Sequence, residues 1–309
     1  MTARPALAAA LVAAAGCRSV RPAPEPIPVG ISVAAPDAGP VAALEALEAG
    51  SSDLVARAAV AFSHREDPAA LDRSIELWEK AALRGGAAEA LLGAARARRA
   101  RSQGLLARAN SSPADAPAST ADLLADAGRD AQACSAEAHR SWSSLLPADA
   151  GQPTPGLRQL PPPAIEAIYL EAVCAADWAR TQGFTQLVER RGEIQEALRL
   201  ATELLPDLDN AGPDRELGRL FASLPAYAGG DLREARLHLE KAIGRAPLAP
   251  ANHLLYARAI AVKLQDRELF EAQLGAVLEA PALTQEDRAA AAEARELLVR
   301  EDELFGPVQ

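Results

Sequence analysis

Aromatic side chains are scarce, 4% of a 309-residue chain in which 49% of residues are hydrophobic. That excludes a dense aromatic centre and leaves a core of many alanine and leucine contacts between close helices, which suits a long, thin protein. Strand patterning is equally scarce. No sustained alternation of β-branched residues occurs outside IPVGISV (27–33), and the prolines around it discourage a ladder. The expected fold is therefore all-α. A basic surplus is also missing. The chain has 42 Asp and Glu against 32 Lys and Arg, a net charge of −10. Nucleic acid, which needs a basic surface to displace counterions, is not an expected partner.

Motifs that carry chemistry are missing as well. The histidines His64, His139, His238 and His253 are scattered, and none stands in the His-Glu-x-x-His spacing of a zinc site. Neither a Gly-x-x-x-x-Gly-Lys-Ser/Thr phosphate loop nor a Gly-x-Ser-x-Gly nucleophile turn occurs. The expectation is a protein that is not an enzyme and has no catalytic residues, metal or cofactor.

What the chain does contain is a recurring small-large-small rhythm. In GGDLREARLHLEKAI (229–243), Ala235, Leu239 and Ala242 share one helical face, and Pro247 follows. Ser74, Trp78 and Ala81 repeat the spacing, as do Ala197, Ala201 and Leu204, while Ala131, Ser135 and Ala138 form a looser copy. Alanine at a contact lets two helix axes approach closely, and the trailing proline matches the second helix of a tetratricopeptide repeat. The predicted architecture is a tetratricopeptide-like helical-repeat α-solenoid, with a plain bundle as the competing reading.

Residues 1–16 have the layout of a signal peptide: an arginine near the start, an apolar run from Pro5 to Ala15, and small residues before Cys17. The run is shorter than the ~20 apolar residues of a lasting membrane helix. The Ala-Ala-Gly-Cys sequence resembles a bacterial lipobox, which makes Cys17 the expected lipid attachment, with acyl chains such as palmitate. The other reading is an ordinary cleaved signal with an incidental cysteine. Arg18 is not the aspartate that in lipoproteins commonly marks retention at the inner membrane. The expected location is thus the periplasm, lipid-anchored, with the outer membrane favoured. Residues 17–41 form a proline-rich stretch that suits a tether, the alternative being an arm packed on the body, and 42–309 form the helical-repeat domain.

Helices are predicted near 52–64, 68–84, 87–108, 120–146, 164–182, 186–205, 214–223, 231–245, 250–265, 266–279 and 285–304. SSPADAPAST (111–120) and PADAGQPTPGLRQLPPP (147–163) interrupt the series. Asp231 with Glu234, and Thr284 with Asp287, each place an acceptor at a helix entrance and an acid three residues on. RARRARS (96–102) is the one basic run, read either as the charged outer face of one helix or as a binding patch.

The ordered combination in 209–305 resembles a known family. It begins with Gly212, Pro213, Arg215, Leu217 and Gly218, followed by Gly229-Gly230-Asp231 and the pair Tyr256-Ala257. Gln265-Asp266 with Phe270 comes next, and Glu303-Leu304-Phe305 closes the series. This is similar to the T component of tripartite ATP-independent periplasmic (TRAP) transporters. Trp178 ahead of Gly183 adds to the likeness, while 45–150 shares only the helix rhythm. The resemblance implies a periplasmic, lipid-anchored repeat protein. Its implied partner is the substrate-binding P component, and it would have a cleft or pore suited to an apolar ligand. The alternative function is a scaffold lipoprotein that organises envelope proteins without a ligand. Assembly with further copies of itself stays open.

Ligand-lining candidates come from the few large aromatics, because an apolar ring with a polar tip suits a partly wet cleft. Tyr256 leads, with Phe221 and Tyr227 near it in sequence, followed by Trp178 and Tyr169. The last two are nine residues apart, about 180° round a helix, so they do not share a groove without a bend. Core packing is the competing role for all of them. Cys134 and Cys174 form either a disulfide, as an oxidising compartment allows, or two buried thiols.

Overall fold

The structure is a computed structural model that describes residues 50–110, 117–146 and 156–306. The signal and tether residues, Cys17 among them, lie outside the described residues, as does most of each interrupting loop. The described residues belong to the unit Ala49–Gln309, and they are helical, with no strand among them.

Twelve helices follow one another among the described residues: α1 (Ser51–Ser63), α2 (Pro68–Leu83), α3 (Ala87–Asn110), α4 (Pro117–Ser143), α5 (Pro162–Gln182) and α6 (Phe184–Leu204), then α7 (Gly212–Ser223) and α8 (Leu232–Arg245). Helix α9 runs as Pro250–Tyr256, passes through a π-helical segment, Ala257–Ala261, and finishes as Val262–Leu264. The series ends with α10 (Arg267–Glu279), α11 (Gln285–Val299) and α12 (Glu301–Phe305).

Sequence chemistry sets many of these ends. Asp67 accepts from the Ala69 amide ahead of α2, with Pro68 in the first turn. Asp231 accepts from the amides of Arg233 and Glu234 at the start of α8, and Asp266 does the same for Leu269 in α10. Thr284 and Asp287 form the reciprocal capping box at α11. Gly229 adopts φ +89° at the turn into α8, a conformation that costs other residues energy.

Successive helices from α1 to α8 pack on one another in order, and α1–α3, α3–α5, α7–α9 and α9–α11 also meet. The apolar interior is correspondingly divided. One cluster joins α1, α2 and α3, a second runs from α3 to α9, and a third joins α9 to α12. Helices α3 and α9 each contribute residues to two clusters, so one core hands over to the next with no common centre.

Close approach depends on small residues. Ser74, Ala81, Ala235, Leu239 and Ala242 have no measurable exposure, and Trp78 is buried with them. A Cβ on Gly93 would collide with the Trp78 indole, and one on Gly218 would lie 2.6 Å from Cγ of Leu239. In α6 the buried residues are Leu187, Ile194, Leu198 and Ala201, the last three in the small-large-small spacing, whereas Ala197 and Leu204 are half-buried. That moves the triad read from the sequence three residues toward the N-terminus. In α4 the inner residue is Cys134, beside the half-buried Ser135.

Cys134 on α4 and Cys174 on α5 are joined by a disulfide, their Cα atoms 5.9 Å apart across a sequence separation of 40. A cross-link of that span restricts the unfolded chain by roughly 3–4 kcal/mol in the loop-closure account. The double variant Cys134→Ala/Cys174→Ala is expected to lose about that much in urea unfolding, and the wild-type protein should match it once reduced. Recovery of both free thiols from denatured, unreduced protein would contradict the bridge.

Candidate functional site

The basic run on α3 pairs with neighbouring helices, which corrects its reading as a solvated outer face or a free patch. Residues three apart lie on one side of a helix, so Arg96 and Arg99 point one way, and Arg98 and Arg101 the other. Arg96 donates to Glu166 of α5 at 2.7 Å. Arg98 reaches Glu137 at 2.9 Å and Asp130 at 3.3 Å on α4, and also Glu79 on α2. Arg101 clamps Asp130 at 2.5 and 2.7 Å and reaches Asp72 at 2.6 Å. An open cleft of about 460 Å³ lies beside these residues, lined by both signs of charge, including Arg129 with Asp126.

Arg99 enters a second, deeper set of charges around the start of α7. The turn before α7 holds Asp209, Asn210 and Ala211 at φ 52°, 54° and 61°. Three non-glycine residues in a row in the left-handed region are costly, alanine most of all, and the surrounding bonds oppose that cost. Oδ2 of Asp209 accepts from the Tyr169 hydroxyl at 2.8 Å, from Arg215 at 2.8 Å and from Arg99 at 3.0 Å. The Asp209 carbonyl also accepts from Arg215, at 3.0 Å. Asn252 of α9 donates to the Asn210 carbonyl and accepts from Arg215. Gly212 leaves room for the Tyr169 hydroxyl, on which a Cβ would collide.

Glu216 lies one step deeper in this set. Its carboxylate is 3.5 Å from Arg219, 3.7 Å from Arg215 and 3.9 Å from Arg99. Nearby, Asp177 accepts from Arg180 at 2.7 Å. Burial alone would raise the Glu216 pKa, yet Arg219, Arg215, Arg99 and Arg180 together hold it below the usual range. Asp209 is likewise held low by Arg215 and Arg99 against its burial. Burial chiefly pushes the Tyr169 phenol up, so it stays a donor. On the far side of α7, Asp214 accepts from His238 at 2.7 Å, and that ring stacks on Phe221.

Four of the five expected ligand residues belong to one continuous core. Tyr169, Phe221 and Tyr256 are buried within it and Trp178 packs against it, whereas Tyr227 is 87% exposed. Tyr256 donates to Glu240 at 3.1 Å, and Arg190 covers the Trp178 ring at 4.7 Å. Phe221 alone lines the largely apolar open cleft of about 430 Å³ between α7, α8 and the end of α9. Leu224, Ala226 and Leu232 line it too, with Lys263 and Arg233 as its cations. Among the described residues, no group of His, Cys, Asp and Glu is arranged to hold a metal ion. Sequence reasoning missed the ionic cluster, whose signal was the pairing of Asp209 with the Arg215 of the family pattern.

The linkage sign for this cluster follows from the depressed carboxylates. Asp209 and Glu216, with ordinary values of 3.8 and 4.5, contribute stability that is present above those values and lost as pH falls toward the lower folded values. Glu137, raised by burial, works in the opposite sense. Asp209→Asn is expected to cost about 2 kcal/mol in urea unfolding at neutral pH, as loss of a charged hydrogen-bond acceptor does. The gap from wild type should shrink at about pH 3. A gap equal at both pH values would contradict this electrostatic role.

Among curated proteins, nothing matches the chain. A family model described as the TRAP transporter T-component matches residues 101–305. That span takes in α4 to α12, the strained turn, Glu216 with Arg180, Arg215 and Arg219, and the Gly212–Gly218 pattern at the start of α7, while Arg99 lies just before it. With the match covering that much of its length, the chain belongs to the TRAP transporter T-component family.

Proposed function

We propose that the chain is a lipid-anchored periplasmic accessory protein of a TRAP-type solute uptake system. In this reading it binds the substrate-binding P component and takes an apolar ligand at the cleft beside Phe221. The observation that carries the proposal is the family match over residues 101–305, which implies an accessory role and association with the transporter's components. The family is a transporter accessory and not one known for enzymes.

Several features support the finer parts. Contacts between next-but-one helices, α1–α3, α3–α5, α7–α9 and α9–α11, support a two-layered repeat solenoid, the architecture proposed here. The cleft beside Phe221 combines an aliphatic floor with Lys263 and Arg233, which suits an apolar ligand with a polar end. Cys17 carries the anchor and 17–41 the tether, on the strength of the lipobox-like sequence. Outer-membrane attachment rests on Arg18.

Calorimetric titration of the mature protein with its cognate P component is expected to show saturable binding. An apolar fluorescent probe, N-phenylnaphthylamine, should bind wild type and lose most of its affinity for Ala226→Trp, which fills the cleft from an exposed position. Absence of both interactions would leave the scaffold lipoprotein as the better reading. Mass spectrometry of the exported protein should find Cys17 acylated at the mature N-terminus, and an unmodified Cys17 would remove the anchor.

A further inference from the structure

The charges around Glu216 do not balance. Arg99, Arg180, Arg215 and Arg219 are gathered about Asp177, Asp209 and Glu216, four guanidinium groups to three carboxylates. The deficit falls unevenly. Arg215 is well occupied by Asp209 and Asn252, and Arg99 divides itself between Asp209, Glu216 and the Tyr169 ring. Arg180 donates once, to Asp177. Arg219 makes no hydrogen bond among the described residues. Its Nε stays 3.5 Å from Glu216 and is buried without a partner. Glu216 stands within 4 Å of Arg99, Arg215 and Arg219, and its Oε1 makes no hydrogen bond to any of them, so the charge of Arg219 is met only at a distance.

We propose that Arg180 on α5 and Arg219 on α7 form a receptor for one carboxylate group, which completes the charge balance of the cluster. Both side chains reach the surface, at 26% and 33% exposure, while Asp177 and Glu216 behind them are 5% and 3% exposed. An anion therefore arrives from solvent without opening the core. Burial, with Arg219 close by, already disfavours the charged form of Arg180, as expected where positive charge is in excess. Guanidinium forks match a carboxylate edge to edge. One negative charge neutralises the surplus, whereas a phosphate dianion overshoots it. The carboxylate comes either from a small molecule or from an acidic side chain or C-terminus of the docked P component. The second source rests on the proposed function and the first does not.

The test compares wild type with Arg219→Gln and Arg180→Gln in the full mature protein. Thermal unfolding is followed in sodium acetate, with acetamide in sodium chloride at equal ionic strength as the neutral control. Acetate is expected to raise the wild-type midpoint by about 2 °C or more, acetamide to do nothing, and Arg219→Gln to abolish the shift. Arg219→Gln loses the ion pair with buried Glu216 and should unfold below the wild-type midpoint, so the acetate shift of each protein is read against its own acetamide control. A second arm titrates the P component. No acetate response, together with at least tenfold weaker P-component binding by Arg219→Gln, assigns the carboxylate to the partner. Equal responses of wild type and Arg219→Gln in both arms overturn the receptor. Failure of the P component to bind wild type sinks the proposed function, while the acetate arm still decides this site.

Discussion

Buried charge needs a partner, and the arginines of α3 make most of this chain's inner geometry depend on that need. Moving a guanidinium out of water costs several kcal/mol unless carboxylates meet it with good hydrogen bonds. Arg98 and Arg101 therefore fix where α2 and α4 lie against α3, and Arg96 and Arg99 do the same for α5 and the turn before α7. The net gain from such pairs is small, since desolvation offsets most of the attraction, but breaking a largely buried one such as Arg98–Glu137 leaves an uncompensated charge and costs about 3–5 kcal/mol, whereas the more exposed Arg96 pair is screened by solvent. The pairs thus act mainly against wrong registers. A core of alanine needs that help, because small smooth faces slide past one another with little penalty.

The same shortage of bulk explains the aromatics. Where alanine-rich helices leave a gap, a ring fills it: Trp78 lies against Gly93, Tyr169 reaches Gly212, and Phe270 meets Phe305. Rings spent on such gaps are not free to line a groove. An aromatic ring with a polar tip suits a ligand surface, yet in a chain with 4% aromatics the core has the prior claim. What remains at the surface of α7 is Phe221 at the edge of an aliphatic cleft, together with cations that have no full set of partners.

Helix positions were legible because their signals are local. Pro68, Asp231, Asp266 and Thr284 act within one turn of their own position, and the triads at 74, 78, 81 and 235, 239, 242 report faces buried on one side. The triad in α6 was misplaced because Ala197 and Leu204 are half-buried, so a small-large-small pattern fits more than one register. The partners of the basic run were less visible, since they come from helices far apart in sequence. One trace existed: Asp72 and Glu79 on α2, like Asp130 and Glu137 on α4, are seven residues apart, two turns on one face.

The left-handed turn at Asp209–Ala211 and the π-helical segment at Ala257–Ala261 left no such trace, because neither follows from the propensities of its own residues. Asn252 stands between them in the chain and bonds to both sides of the first, through the Asn210 carbonyl and Arg215. The π-helical segment follows it on the same helix and carries Lys263 on to the carbonyl of Ala222 at the end of α7. Helix α7 is therefore gripped at its start by the strained turn and at its end by α9, with Arg219 between the two. Strain of this kind persists only where surrounding contacts over-determine the backbone, and it concentrates where a site must be held ready. The Gly212, Pro213 and Arg215 of the family pattern are the residues that build this grip. That places the residues on which the sequence resemblance rests and the cluster's unbalanced charge on the same three turns of helix.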